Sequence, residues 1–466
     1  MSSNKPKKYL VIITAVASIG GLLFGFDIAV VSGVLPFAQK QFNLTAVEEG
    51  WFVSSALIGS IVGVAISGEL SDRFGRKIML VLSSLLFFIS ALGCTLLPTM
   101  FGIIAFRMLG GVGIGIASII VPLYISEIAP AAIRGRLVTF YQLAVTIGIL
   151  LAYLSNGMLL NISLGQAASD WEGLLSFLFV EEVWRGMFSV LILPSLLFLT
   201  GLILVPESPR WLIQKRRTDE AINTITKLTG NKYQAEFEVK EIVSELKAEI
   251  GSYKELLSPA LRKALLLGIL LPLLSQFSGI NAIIYYGPTI LHGAGVTISN
   301  SFISQIIFGF AIVLFTFIAI WKVDHIGRRR LYLIGTAGAA VSLLLTGICF
   351  YFQFTSSIWL IVCVLLFLAS FAFSIGPLKF VVASEIFPNK IRGRAMAISI
   401  MTMWIADAMV GQLTPIALRE AGTAATFWFF SFFCVVGFLF ILKFLPETKG
   451  QSLEQIQRFW KQRAIA

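Results

Sequence analysis

The sequence predicts an all-α integral membrane protein, with twelve transmembrane helices in two parallel six-helix repeats joined by a helical linker. Three observations carry that prediction. Of the 466 residues, 57% are hydrophobic and 13% charged, with a mean hydropathy of +0.87; soluble globular chains carry about 25% charged residues. Apolar stretches of about 20 residues, the length that crosses a hydrocarbon core, recur along nearly the whole chain. Loop motifs of the first half return in the same order in the second.

In order, the apolar stretches fall at 9–34, 50–70, 78–98, 101–124, 138–160, 186–205, 264–291, 302–322, 331–353, 357–383, 394–416 and 424–445. The first runs well beyond the 7–15 residue apolar region of a cleaved signal peptide, so it is read as a span. A soluble helical bundle is excluded, because too little polar sequence remains to cover it. The one long polar segment, 206–263, follows the sixth span. Within it Ile222, Ile225 and Leu228 repeat every three residues and Gly230 follows as a stop, a pattern of short amphipathic helices. The chain therefore divides into an N-terminal half (1–205), a cytoplasmic linker (206–263), a C-terminal half (264–445) and a short cytoplasmic tail (446–466).

The formal net charge is +11, but its distribution argues against a nucleic-acid partner. Only Lys40, Arg185 and Arg419 fall in loops assigned to the outside, and Arg107 and Lys379 lie inside spans. The remaining basic residues sit on the other side. By the positive-inside rule, both termini are expected in the cytoplasm of a multi-pass cell-membrane protein. Cys94, Cys349, Cys363 and Cys434 lie within spans with no metal-ligand spacing. His292 and His325 fall at loop edges. Neither a nucleophile–base constellation nor a phosphate loop appears, so no enzyme, metal or cofactor is expected.

Three motif pairs show the internal repeat. Gly68-Glu-Leu-Ser-Asp-Arg-Phe-Gly-Arg-Lys77 after the second span answers to Val323-Asp-His-Ile-Gly-Arg-Arg-Arg330 after the eighth. Glu127-Ile-Ala-Pro-Ala-Ala-Ile-Arg-Gly-Arg136 answers to Glu385-Ile-Phe-Pro-Asn-Lys-Ile-Arg-Gly-Arg394. Pro206-Glu-Ser-Pro209 answers to Pro446-Glu-Thr448. Topology accounts for the arginines, but not for acidic partners at matched positions. Asp72, Arg73, Arg76, Glu127, Arg134, Asp324, Arg328, Glu385 and Arg392 are therefore read as a cytoplasmic gate. Single exposed ion pairs are weak, but a network of them biases a two-state equilibrium.

These motifs resemble the sugar porter family of the major facilitator superfamily. The resemblance extends from Gly21-Leu-Leu-Phe-Gly-Phe-Asp27, Asp72-Arg-Phe-Gly-Arg-Lys77 and Arg107-Met-Leu-Gly-Gly-Val-Gly113 to Pro206-Glu-Ser-Pro-Arg-Trp-Leu212. It continues through Gln276-Phe-Ser-Gly-Ile-Asn-Ala-Ile-Ile-Tyr-Tyr286, Ser384-Glu-Ile-Phe-Pro388 and Pro446-Glu-Thr-Lys-Gly450. It is strongest toward bacterial proton–xylose and hexose symporters, whereas facilitative animal glucose carriers have a neutral residue where Asp27 stands. The resemblance implies the major facilitator fold, alternating access, a monosaccharide and protons as what is carried, lipid as the surroundings, and function as a monomer.

Ionisable residues inside spans carry a functional hypothesis, because burying them is expensive. Asp27 lies about seven residues from the outer end of the first span, roughly 10 Å deep at 1.5 Å per residue, and Arg107 is at a similar depth in the fourth. Two readings are open for them, a permanent ion pair and a proton site whose carboxylate is ionised while paired. Resemblance favours proton coupling.

Gln142 stands near the inner start of the fifth span, and amides suit vicinal hydroxyls because they both donate and accept. Gln276 and Asn281, five residues apart, fall about 140° apart on a straight helix, so both face one cavity only if Ser278-Gly279 breaks it. Asn281 and Tyr285 share a face at i, i+4. By resemblance Gln142, Gln276 and Asn281 contact the sugar, Tyr285 helps close over it, and Phe24, Phe380 and Trp404 supply stacking surface.

Some positions depart from the family. Ser275 replaces a glutamine, Ile312 an asparagine, Phe380 a tryptophan and Met403 a polar residue. Lys379 and Asp407 are charges without an assigned role. The reading is a proton-coupled pentose or hexose symporter; a facilitative sugar uniporter, or a transporter of another polyol or small polar solute, stands as the alternative.

Overall fold

The computed structural model describes residues 5–130, 133–165, 171–246, 253–258, 261–354, 358–387 and 391–447; within these, the side chains of 5–7, 135–136, 245–246, 253–254, 322–326, 380 and 384 fall outside the description. The gate side chain of Asp324, the stacking side chain of Phe380 and most of the 446–466 tail therefore lie outside the described residues. Among those described, twelve helices are long and apolar enough to cross a membrane. They are Lys8–Phe42, Ala46–Phe74, Arg76–Leu96, Met100–Ile128, Leu137–Leu164, Val183–Gly201, Arg262–Gly293, Ile298–Trp321, Arg328–Tyr351, Ile358–Ala383, Arg392–Glu420 and Thr423–Phe444, here spans 1 to 12. Span 1 runs past its apolar stretch to Phe42 and carries Lys40 in its last turn. Helices outlast the hydrocarbon because their backbone bonds are made internally whatever surrounds them. Large apolar side chains such as Phe101, Leu193, Phe317 and Trp359 are more than half exposed, as lipid-facing residues are.

Local chemistry places the helix ends. At span 2 the Thr45 hydroxyl accepts from the Glu48 N–H (3.3 Å) while the Glu48 carboxylate accepts from the Thr45 N–H (2.8 Å), a capping box. Thr99 and Thr297 cap spans 4 and 8 through their side chains. Gly75 and Gly327, with φ of 104° and 95°, precede spans 3 and 9. That backbone conformation is the reason both basic loop motifs carry glycine there.

By its contacts the chain falls into two compact units. The first comprises Met1–Asp27, Gly59–Ile149 and Phe188–Glu249; the second comprises Ile28–Ile58, Leu150–Met187 and Ile250–Ala466. In the first unit, spans 2 and 4 approach closely. A Cβ on Gly59 would stand 2.0 Å from the Met108 carbonyl oxygen, and one on Gly63 would stand 2.3 Å from that of Val112. Small residues four apart are how membrane helices come into backbone contact. The linker is helical as its pattern predicts, with helices Pro209–Gln214, Thr218–Thr229 and Lys232–Leu246 and Gly230 left-handed at φ 75° as the stop. Trp211, Leu212, Ala221, Ile225, Ala235 and Val239 form a small core of their own. Trp211 Nε1 donates to the Asp72 carbonyl at 3.1 Å and ties that core to the end of span 2.

Within the second unit, serine hydroxyls bridge neighbouring helices. Ser374 donates to the Leu331 carbonyl at 2.8 Å, and Ser431 to that of Ala340 at 2.7 Å. Span 10 carries a π-helical segment, Phe371–Ile375, before its last stretch Gly376–Ile386.

Candidate transport site

Span 7 breaks where the site requires it. One helix ends at Gln276, the next begins at Ile280, and Gly279 between them is left-handed at φ 82°. The turn brings the Asn281 amide to 3.5 Å from the Gln276 Oε1. Further along, Pro288 has no N–H to offer the Ile284 carbonyl. The Tyr153 hydroxyl donates to that carbonyl at 3.3 Å, and Gln305 Nε2 donates to the neighbouring Ile283 carbonyl at 3.3 Å. A broken helix inside the apolar layer persists only when its freed backbone groups are met in this way.

Past the break, Asn281 and Tyr285 converge on span 11. Asn281 Nδ2 donates to Asp407 Oδ1 at 2.7 Å, and the Tyr285 hydroxyl lies 3.1 and 3.2 Å from the two carboxylate oxygens. Tyr286 turns the other way and donates to the Gly411 carbonyl at 2.6 Å. Gln276, Tyr285, Trp404 and Asp407 are buried, and Asn281 is half-buried. Ser275, Ile312 and Met403 are buried as well, and the Ser275 hydroxyl finds no partner. Lys379, also buried, acts on Asp407 by its charge, and its Nζ lies 5.9 Å from the Phe371 ring centre.

The other sequence-predicted residues belong to the first unit. Asp27 and Arg107 are buried at 4% and 2% exposure, so neither charge is met by solvent. The Arg107 charge acts on the Asp27 carboxylate and on the neighbouring Cys94. Asp27 Oδ2 accepts no hydrogen bond. The Arg107 guanidinium lies 5.7 Å from the Phe188 ring centre. Phe24 and Gln142 are half-buried.

The predicted gate residues form two matching clusters, one in each unit. In the first, Arg76 grips Glu127 through Nε (3.0 Å) and Nη2 (3.1 Å) and also bonds Asp72 at 3.0 Å. In the second, Arg328 pairs with Glu385 at 3.1 Å. Arg73 and Arg134 are exposed, and Arg392 reaches the Phe387 carbonyl at 3.5 Å.

Sequence reasoning recorded the Pro206-Glu and Pro446-Glu repeat without a role for its acids. Glu207 accepts from the backbone N–H of Arg76 (2.9 Å) and Lys77 (3.2 Å) at the start of span 3. Glu447 does the same for Arg328 (2.9 Å) and Arg329 (3.2 Å) at the start of span 9. Each acid meets unpaired N–H groups and the positive end of a helix. Burial pushes the Glu207 carboxyl up, and those N–H bonds together with Arg76 pull against it. A Cβ on Gly75 would stand 2.2 Å from the Glu207 carboxylate, and one on Gly327 would stand 2.8 Å from that of Glu447. Recurrence at matching offsets was the available signal.

A second cluster missed by sequence lies at the opposite loops. Arg419 pairs with the buried Glu49 and also reaches the Leu44 carbonyl at 3.3 Å. Ser54 donates to Gln412 at 2.8 Å, and Gln412 donates to the Val47 carbonyl at 3.1 Å. Spans 2 and 11 are thus fastened at that end.

The family description "Sugar (and other) transporter" matches residues 13–460. The arabinose-proton symporter of Bacillus subtilis (strain 168) is 41% identical over 454 residues, covering 97% of this chain and 95% of the relative. The D-xylose-proton symporter of Escherichia coli (strain K12) is 35% identical over 493 residues, covering 99% of this chain and 98% of the relative. The inward open structure of the xylose transporter XylE from E. coli superposes with a TM-score of 0.82 at 35% identity, covering 97% of this chain and 100% of that one. With twelve apolar helices, a broken seventh span lined by amides and a doubled set of loop motifs, this chain belongs to the sugar (and other) transporter family.

Proposed function

We propose that this chain is a proton-coupled monosaccharide symporter whose substrate is a pentose. The observation that carries the reading is the meeting of two features in one membrane-buried chain. One is an amide-rich site on a broken helix, suited to sugar hydroxyls. The other is a buried carboxylate, Asp27, beside the positive charge of Arg107. The relatives named for arabinose and xylose, both proton symporters, support pentose and proton together.

Transport proceeds by alternating access of the halves 1–205 and 264–445 around a midplane site, with 206–263 as the linker. Gln142, Gln276 and Asn281 bond the hydroxyls. Phe24, Phe380 and Trp404 provide the apolar faces, and Tyr285 closes over the sugar. Asp27, ionised, is held by Arg107; protonated, it no longer needs that charge and releases span 1 to move with its half. Each proton entering down its gradient contributes about 1.4 kcal/mol per pH unit and about 2.3 kcal/mol per 100 mV. The gate residues, with Glu207 and Glu447, hold the basic loops together when the outer side is open. Both termini and the linker lie in the cytoplasm, the protein resides in the cell membrane, and one chain suffices for transport.

The test is uptake of labelled arabinose, xylose and glucose into proteoliposomes, with and without an inside-alkaline pH gradient. Accumulation of a pentose above the outside concentration, abolished by a protonophore, is the expected result. Equilibration that ignores the gradient would identify a facilitator instead. No uptake of any sugar would point to another polar solute.

A further inference from the structure

Asp407 is the charge that neither the family pattern nor the transport scheme above accounts for. It sits buried in span 11 at 2% exposure, where a carboxylate is expensive and marks function by default. Its surroundings are specific. Asn281 donates to it at 2.7 Å and Tyr285 at 3.1 and 3.2 Å, both from the second part of span 7. Lys379, from the stretch of span 10 that follows the π-helical segment, supplies the opposing charge.

An ionised carboxylate only accepts hydrogen bonds, whereas an amide has one end that donates and one that accepts. With Asp407 ionised, Asn281 must turn its NH₂ toward span 11, which leaves its carbonyl oxygen for whatever enters the site. The same NH₂ faces Gln276 Oε1 at 3.5 Å, so Gln276 presents its own NH₂ to the site. The two amides are thereby set in opposite senses, one accepting and one donating.

We infer that Asp407, backed by Lys379, is a specificity-determining positioning residue. It fixes which atom Asn281 shows the substrate and so selects a solute that donates a hydrogen bond there. The inference rests on the sugar-binding reading above and adds the polarity of one subsite to it. An Asn at 407 or a protonated carboxyl could donate to the Asn281 carbonyl instead, freeing the Asn281 amide to turn around.

The experiment measures binding by purified protein of the preferred sugar and of its deoxy and fluoro derivatives at each hydroxyl. Fluorine cannot donate, so it separates a required donor from a required occupant. In the wild type one hydroxyl position should lose about tenfold or more in affinity on fluorination, because a buried acceptor is left unmet. In Asp407→Asn the loss at that same position should shrink to within about threefold, with other positions unchanged, once Asn281 can present either end. Lys379→Met should flatten the same position, and it carries the test alone should Asp407→Asn not fold. If both variants shift all derivatives by one common factor, Asp407 is merely structural and the inference fails. If the wild type binds no sugar at all, it is the sugar reading that fails, a result distinguishable from the first.

Discussion

Asp27 and Asp407 are both carboxylates buried inside spans, yet they keep different company. Asp407 has two hydrogen-bond donors on it, whereas Oδ2 of Asp27 has none and the carboxylate is buried within reach of the Arg107 charge. We propose that the carboxylate with fixed donors serves to orient, and the one with an unbonded oxygen beside a buried cation serves to exchange a proton. Asp27→Asn, which keeps the shape and removes the charge, should therefore abolish accumulation driven by a pH gradient while leaving sugar exchange largely intact. Counterflow and gradient-driven uptake on the same vesicles separate the two; a variant that still concentrates sugar makes Asp27 structural. That both acids lie within apolar helices was legible in the sequence, since hydropathy places them. The Arg107 partner of Asp27 was read there too, but the donors on Asp407 were not, because it meets Asn281 and Tyr285 across 126 and 122 residues of chain.

Among the elements, the break in span 7 sets the geometry of the site, and it was legible because five residues on a straight helix cannot share a face. Gly279 permits it twice over. Its φ of 82° is one that side chains rarely adopt, and a Cβ there would stand 2.4 Å from the Phe430 ring. Left-handed backbone alone costs a non-glycine residue about 1–2 kcal/mol, and the ring contact adds to it. Gly279→Ala should lower thermal stability and weaken sugar binding by at least about tenfold, in line with those combined costs. Wild-type affinity in that variant, measured on purified protein, would show that the site does not need the break. The gate clusters invite a graded comparison. The Arg76–Glu127 side chains are each 5% exposed, against 15% and 25% for Arg328 and Glu385. Losing one member of a buried pair costs about 3–5 kcal/mol, and an exposed pair is worth about 1 kcal/mol or less. Glu127→Gln should thus slow turnover and destabilise the protein more than Glu385→Gln, with sugar affinity little changed in both. Equal and negligible effects on turnover, at normal expression, would leave those arginines with a topological role alone.

At the scale of the whole molecule, sidedness is the property on which every other assignment depends. By the positive-inside rule, the clustering of basic residues leads us to propose that both termini and the linker lie in the cytoplasm. The four native cysteines are all buried, which makes cysteine scanning simple. A cysteine at Glu172, in the exposed stretch before span 6, should react with an impermeant thiol reagent added to intact cells, and one at Lys240 in the linker only after permeabilisation. Labelling of both from the same side would overturn the twelve-span arrangement. The Glu49–Arg419 pair and the Gln412 bonds fasten the start of span 2 to the later part of span 11 within the second unit. Neither was foreseen, since an arginine at a span end looks like any other topological charge until its partner 370 residues away is known.

Span number, span order, the internal repeat, the break at Gly279 and the place of the charged residues within apolar helices followed from the sequence by itself. Each depends on local or periodic properties: apolar length, helical spacing, glycine at a turn, and motifs that recur at matching offsets. Only the tertiary structure decided that Glu207 and Glu447 cap spans 3 and 9, that Arg419 grips Glu49, and that Asp407 collects Asn281 and Tyr285. These contacts join residues far apart in the chain, and a carboxylate's role is set by which donors and cations the fold brings within about 3 Å of it, the range over which hydrogen bonds form.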